Sequence, residues 1–330
     1  MAGAIALERL QAGLETVRFT PVPATRKVYG ERGTTWYEEV KTEEFLAENT
    51  GSYIANFRHV VAEKHATLNV PFFVTGADLA WWGQLAWKGS VAATGPTSGS
   101  VYTYAFTPSL VADDLKFATF EGYSDTQGVQ LPGCMVNKLE ISWQAGSSVK
   151  GTADILCQQA TYQAVTAAVP ERTGLNVWPG TTAKVYIDAG GGTIGTTQAL
   201  NVLSGKITWD NQGKQIYHNI GNLYPDDLYR LPRSVQVELD VHYNTQTELT
   251  AFDADTERLI RVVLTGPMIP ASNPSTPESA TMDFYGYWQT AAFGVSDAIR
   301  TVKLTGTSQY DTTALYDWKV SIANALAMLP

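Results

Sequence analysis

Apolar and polar residues alternate with a period of two along much of the chain. The clearest case is Ser234–Tyr243, in which every second residue from Val235 to Val241 is apolar and the residues between them are polar. Because successive side chains of a strand point to opposite faces of a sheet, this pattern predicts a strand with one buried and one solvated face. Other segments carry a similar signal, and together they predict a mainly β protein. They are Ala66–Phe73, Val101–Phe106, Leu115–Glu121, Asn137–Trp143, Lys150–Cys157, Ala183–Asp188, Leu203–Trp209, Leu259–Thr265, Ala280–Trp288 and Ile299–Thr305.

Helical spacing of apolar residues is confined to short segments. One helix is predicted to begin near Asp78, whose carboxylate suits the first turn, and to end near Gly89. A second is predicted to begin at Thr245 or Thr247. A third, short and apolar, is predicted to close the chain at Val320–Leu329.

The order of these elements indicates a repeat. Each of the first two helices follows an alternating strand and precedes a loop rich in Gly, Pro and Ser. A linker at Gln163–Thr182 divides the chain into predicted domains 1–165 and 166–330. Residues 26–64 mix charges with aromatic residues and predict a long hairpin or arm, whereas Asn211–Arg233 predicts a long surface loop.

Composition points towards extensive burial. Charged residues make up 17% of the chain, compared with about 25% in an ordinary soluble domain. The 9 Trp, 16 Tyr and 11 Phe fit either large contacts between subunits or a compact β domain filled with aromatic residues. The net charge of −9 argues against a protein that grips nucleic acid, because binding to phosphates requires Lys and Arg.

Signals for catalysis or metal binding are weak throughout. The four His are not grouped at metal-ligand spacing, and Gly190–Gly195 reads as a turn because no Lys and no helix follow it. Carboxylate pairs such as Asp226–Asp227 read as turn or cap residues, and Cys134 and Cys157 are expected to pack as small apolar residues. We therefore expect no enzyme, no metal and no cofactor.

The N-terminal segment lacks the basic and apolar regions of a signal peptide, and no apolar run approaches the length of a membrane span. We expect a chain made in a cytoplasm and not inserted into a membrane.

A second class of function remains open from the residues alone. A β-sandwich that binds or hydrolyses carbohydrate would carry exposed aromatic residues and a pair of carboxylates in a cleft. Most Trp residues fall on the apolar side of their predicted elements, which favours core or subunit contacts. Trp36 and Tyr37, in the predicted arm, are the exception.

Several segments carry a recognisable series of motifs. Val101–Gln159 contains a strand ending in FTPS, a loop leading into PGCMVNKLEI and a strand of the GTADI type. This segment resembles the two-domain tail tube proteins of long-tailed bacteriophages. Further along, and in the same order as in that family, Ala183–Asn211 is similar to the opening of its second half, Thr256–Gly266 to the strand after its helix, and the closing DWKVSIANALAML to its final strand.

The resemblance implies a fold and an assembly. The implied fold is a duplicated one of packed antiparallel sheets, each flanked by a short α-helix. Subunits would join edge to edge into a β-barrel wall around a lumen, and the rings would stack into a tube. A duplicated chain implies a trimer with pseudo-sixfold symmetry. The implied partners are other copies of the chain, the tape measure protein and viral DNA in the lumen, and baseplate and tail terminator proteins at the ends.

Within this picture, specific residues receive roles. The candidates for the lumen face are Glu140, Lys206, Glu238 and Asp240, because they lie on the polar sides of predicted strands. The candidates for an arm between rings are Trp36, Tyr37 and Phe45. The resemblance implies that the protein is assembled in the cytoplasm of the host bacterium and becomes part of the virion tail. In the tail it would form the conduit for DNA ejection. A ring-forming tail terminator or baseplate protein on the same fold is the remaining alternative.

Overall fold

The computed structural model describes most of the chain. The described residues are 8–31, 34–44, 59–89, 91–97, 99–109, 115–124, 127–172, 175–218, 221–270, 272, 275–296 and 299–329. The fold is mainly β, as the alternating pattern predicts, and every named strand pair is antiparallel.

Among the described residues, the first part of the chain contains one α-helix. Its elements are β1 (Glu8–Leu14), β2 (Arg26–Val28), β3 (Thr35–Glu44), β4 (His59–Phe73), α1 (Gly76–Ala86), β5 (Tyr102–Phe106), β6 (Ala118–Ser124), β7 (Gln127–Gln144), β8 (Lys150–Cys157) and β9 (Thr161–Tyr162).

Where the structure describes it, the second part contains one further α-helix. Its elements are β10 (Lys184–Ala189), β11 (Val202–Asp210), β12 (Lys214–Ile216), β13 (Asp227–Tyr229), β14 (Ser234–His242), α2 (Thr247–Asp253), β15 (Arg258–Met268), β16 (Pro277–Ser296), β17 (Ile299–Ser308) and β18 (Trp318–Asn324).

Two sets of six strands have the same order. The first set pairs in the order β1-β6-β7-β8-β4-β3. The second set pairs in the order β10-β15-β16-β17-β14-β11. Chain order also matches, with a helix directly after β4 in one set and after β14 in the other. The sets meet where β7 pairs with β11, so they form parts of one sheet.

An aromatic core lies between the sheet and helix α1. The helix begins where the Thr75 hydroxyl accepts a hydrogen bond from the Asp78 amide, which satisfies one free N–H of the first turn. Its Trp81 and Trp82 are almost fully buried and pack against Phe120. A second aromatic group joins residues far apart in sequence, and its members are Trp87, Phe106, Trp209, Phe284 and Trp318.

Two interpretations of local structure were wrong. The segment predicted as a terminal helix begins with strand β18, because Trp318, Val320 and Ile322 bury one face between β16 and β5. The segment 211–233 is not only a surface loop: it contains the β12–β13 pair, and Leu228 is fully buried.

The two cysteines also differ from expectation. Cys134 and Cys157 are buried on adjacent strands, as small apolar residues would be, but their sulfurs form a disulfide. This pairing was not predicted, because a separation of 23 residues does not show that β7 and β8 place the two side chains together.

Candidate functional site

Eight strands form a continuous path that we call the central sheet. In order these are β3, β4, β8, β7, β11, β14, β17 and the C-terminal part of β16. Alternate residues of each strand point into the core, for example Ile141, Ile207 and Leu239, which are fully buried. The other face of these strands carries polar side chains, and we call it the polar face.

Ion pairs cross the polar face from strand to strand. The Lys206 ammonium lies 2.9 Å from a Glu238 carboxylate oxygen and 3.6 Å from one of Glu140. The Lys303 ammonium lies 2.7 Å from the other Glu238 oxygen. One acid on β14 therefore lies between two bases on the neighbouring strands β11 and β17.

These contacts keep the groups charged. The hydrogen bond to Glu238, followed by the nearby charge of Glu140, raises the pKa of Lys206 despite partial burial. Burial alone would raise the pKa of Glu238, but hydrogen bonds from Lys303 and Lys206 outweigh it and lower that pKa. Acidic and basic groups alternate across this part of the face, so much of their charge cancels locally.

An open depression of about 580 Å³ follows the same face. Its polar lining includes Ser142, Lys150, Ser204, Lys206, Glu238 and Asp240. Hydroxyls and paired charges surround it, with no group of three His, Cys, Asp or Glu among the described residues in an arrangement that could hold a metal ion. The depression has the character of a hydrated surface rather than of an enclosed site.

The polar face continues onto the first strand set. The Lys41 ammonium lies 2.7 Å from Glu63, and a His65 ring nitrogen lies 3.3 Å from Glu39. These pairs join β3 to β4 just as the Lys206 pairs join β11 to its neighbours. The same pattern of crossed charges therefore extends along the central sheet.

The chain matches the model of the phage tail tube protein family over residues 46–281. It belongs to the phage tail tube protein family. No curated protein matches it. Family membership gives this protein a structural role in the virion tail and confirms the resemblance found in the sequence.

All four residues predicted for the lumen lie on one face of this tail tube protein. Glu140 is on β7, Lys206 on β11, and Glu238 and Asp240 on β14. The register places Lys206 opposite Glu238 and Asp240 opposite Lys303. Lys303 lies on the same face but was not predicted, although its place in a predicted strand, Ile299–Thr305, is a signal for it.

The predicted arm residues are distributed differently. Trp36 and Tyr37 lie in β3, paired with Leu68 and Thr67 of β4, and Phe45 lies outside the described residues. Trp36 packs edge-on against Tyr162 but remains 38% exposed, whereas Tyr37 is on the polar face. In this region β3 and β4 pair antiparallel, and the arm predicted over residues 26–64 stays a prediction.

Trp36 alone among the nine Trp of this tail tube protein is exposed, and the other eight lie in the core. Exposed Tyr side chains remain, among them Tyr37 and Tyr162. Both carboxylates of the Asp226–Asp227 pair have partners within the chain. Asp226 accepts a hydrogen bond from the His218 amide, and Asp227 forms an ion pair with Arg18. No helix in the described part of the chain is long and apolar enough to cross a bilayer.

Proposed function

We propose that this protein is the repeating subunit of a phage tail tube, in which copies form rings and the rings stack into a conduit for DNA ejection. The observation that carries the proposal is the central sheet, which has a core-facing side covered by the rest of the chain and a polar side left open. Such a sheet suits a wall with a wet interior. The open strand edges suit closure with other copies, which removes unpaired backbone groups.

We propose that the polar face lines the lumen. Glu140, Lys206, Glu238 and Asp240 would then meet the passing DNA. Ion pairs on this face leave little free positive charge for phosphates to bind, and the acidic balance of the whole chain disfavours adhesion. DNA and the tape measure protein would therefore slide past a hydrated surface without being held.

We propose a trimeric ring with pseudo-sixfold symmetry. The identical strand order of the two sets supports a duplication, with domains at 1–165 and 166–330, so three chains would supply six similar wall segments. At a strand spacing of about 4.8 Å and a tilt of about 40°, a ring of about 24 strands has a backbone diameter of roughly 48 Å. A ring of six chains would be about twice as wide.

We propose that contacts between rings are made by the predicted arm, for which Phe45 is a candidate. The remaining proposed partners, the baseplate and tail terminator proteins, would bind at the two ends of the stack. Assembly is proposed to take place in the cytoplasm of the host bacterium.

Electron microscopy of the purified chain at rising concentration tests this function. The expected result is hollow tubes with threefold or pseudo-sixfold cross-sections and a wall diameter close to the trimer value. Single rings that never stack would instead favour a tail terminator or baseplate role. A chain that stays monomeric at high concentration and binds glycans would overturn the proposal in favour of a carbohydrate-binding module.

A further inference from the structure

The two ends of the central sheet are open within the described chain. Strand β3 pairs with β4 on one side, and no described strand pairs with its other side. At the opposite end, residues 290–296 of β16 pair with β17 alone among the described strands. Unpaired edges of this kind accept another strand.

Inside the chain, the equivalent junction is already made. Strand β11 of the second set pairs with β7 of the first, and Ile207 lies directly opposite Ile141. Both side chains are fully buried. Next to them, the Trp143 indole lies over Gly205, where a larger residue would overlap the ring.

A matching irregularity aligns the two sets residue by residue. The β7–β8 pairing shifts between Val136 and Lys138, and the β16–β17 pairing shifts between Trp288 and Thr290. Superposing these two shifts places Phe293 at the position of Ile141. Phe293 is 67% exposed, whereas Ile141, at the equivalent position of the first set, is fully buried.

The same alignment reaches the other edge. In the first set, the alignment can be followed through the pairing registers from β8 to β4 and β3. In the second set, the equivalent path runs from β17 to β14 and β11. At the ends of the two paths, Trp36 of β3 occupies the position of Ile207 of β11. Trp36 lies opposite the buried Leu68, so its side chain is on the core-facing side of the sheet. It is nevertheless exposed.

We infer that the β16 edge of one copy pairs antiparallel with the β3 edge of the next, in the register of the internal β7–β11 junction. This inference rests on the proposed function and specifies its lateral contact. Phe293 then lies opposite Trp36 of the neighbouring copy, and Ala292 lies opposite Tyr37. The contact is heterologous, so each copy uses both edges and a ring can close.

Side-chain sizes across this junction are complementary. The β16 edge offers small residues at Ala291, Ala292 and Gly294, whereas the β3 edge offers the two large rings of Trp36 and Tyr37. Trp143 over Gly205 is the internal example of a large ring over a small residue. The exposed Phe293 and Trp36 would also become buried, as their counterparts Ile141 and Ile207 are. Aromatic residues that face each other across paired strands stabilise the pairing.

Disulfide trapping tests the register. A chain carrying Tyr37→Cys and Ala292→Cys should form intermolecular disulfides on oxidation of assembled tubes, and the covalent ladder should stop at the ring size. Both positions are exposed in the single chain, so the substitutions leave its core unchanged. The native cysteines are buried and already joined.

The matched control is Lys41→Cys with Ala292→Cys, which shifts the pairing by four residues on the same exposed face. Cross-linking of the first pair and not of the control supports the inference. Cross-linking of the control alone, or of neither in tubes that are intact by microscopy, overturns the register while leaving the tube function standing. A wild-type chain that makes no tubes overturns both.

A second measurement does not depend on disulfide geometry. Phe293→Ser should raise the concentration required for assembly roughly tenfold or more, because it removes an aromatic contact from the junction. The control is Leu315→Ser, at an equally exposed position away from both edges. Equal effects of the two substitutions, with both chains folded by circular dichroism, would contradict the role of Phe293.

Discussion

The indole of Trp143 on β7 lies directly over Gly205 on β11, at the junction of the two strand sets. Trp143 is 5% exposed, so its ring lies in the core. A Cβ atom on Gly205 would overlap the indole, and the ring would have to move. The junction therefore depends on the absence of a side chain at one position.

Replacing Gly205 with Ala is expected to destabilise the protein by about 1–3 kcal/mol, the usual effect of overpacking a core. Urea denaturation followed by tryptophan fluorescence measures the change. Gly122→Ala is the matched control, because a Cβ there meets only Val129 at an ordinary contact distance of 3.5 Å. Equal stability of Gly205→Ala and wild type would show that the indole can move without cost.

Asp188 fixes the glycine-rich turn after β10. Its carboxylate accepts hydrogen bonds from the amides of Gly195, Thr196 and Thr197 and from the Thr196 hydroxyl. Burial opposes its charge, but these bonds outweigh burial and lower the pKa from 3.8 to about 2. This arrangement explains why the segment is a turn and not a phosphate-binding loop.

Asp188→Asn is expected to destabilise the protein by about 1–2 kcal/mol at neutral pH, because it removes a charge-assisted acceptor. A carboxyl group with a lowered pKa in the folded state stabilises it fully above the unfolded pKa and loses this effect as pH falls through the folded pKa. The difference from wild type should therefore shrink as pH is lowered from about 4 to about 2. Urea midpoints across this range test it, with Asp253→Asn on the exposed end of α2 as control. A difference that is constant with pH would contradict the mechanism.

A buried ion pair ties the N-terminal region to helix α1. Arg26 donates to Asp78 at 2.9 Å, and both side chains are almost fully buried. Arg172 donates to the same carboxylate oxygen, and the Arg26 guanidinium lies over the Trp81 ring. Burial, and then the charge of Arg172, lowers the pKa of Arg26 to about 9.

Asp78→Ala is expected to cost about 3–5 kcal/mol, because it leaves buried guanidinium groups without their counter-charge. Asp227→Ala is the matched control, since it breaks an ion pair with Arg18 in which both side chains are about 40% exposed, and exposed pairs contribute about 0–1 kcal/mol. Thermal denaturation of both variants gives the comparison. Similar losses in the two would mean that Asp78 matters no more than a surface acid.

If the polar face lines the lumen, a gold label attached to that face should lie inside the tube. Glu140→Cys, labelled with a maleimide gold cluster and assembled together with unlabelled chain, should give density on the inner rim of averaged tube cross-sections. Lys184→Cys is the control, because Lys184 is exposed on β10, outside the central sheet, and should place gold away from that rim. Gold on the outer rim from position 140 would reverse the assigned orientation of the wall.

Prediction from sequence was strongest where a residue's environment is set by its own strand. In Ser234–His242 the apolar residues at every second position are all buried, since alternation follows from strand geometry alone. The same local rule placed Glu140, Lys206, Glu238 and Asp240 on polar sides. It stopped short at β16, which continues past Trp288 to Ser296 and carries the exposed Phe293.

The sequence by itself determined that this chain is mainly β, where most strands and both helices lie, and that it resembles tail tube proteins. Only the tertiary structure decided which strands are neighbours. Strands pair through backbone N–H and C=O groups, which are nearly the same in every residue, so the sequence of a strand does not name its partner. The tertiary structure therefore decided that β7 meets β11, that Cys134 meets Cys157, and that Lys206 and Lys303 share Glu238. It also decided that β18 is a strand, since the face that carries Trp318 finds its partner in β5, more than 200 residues earlier in the chain.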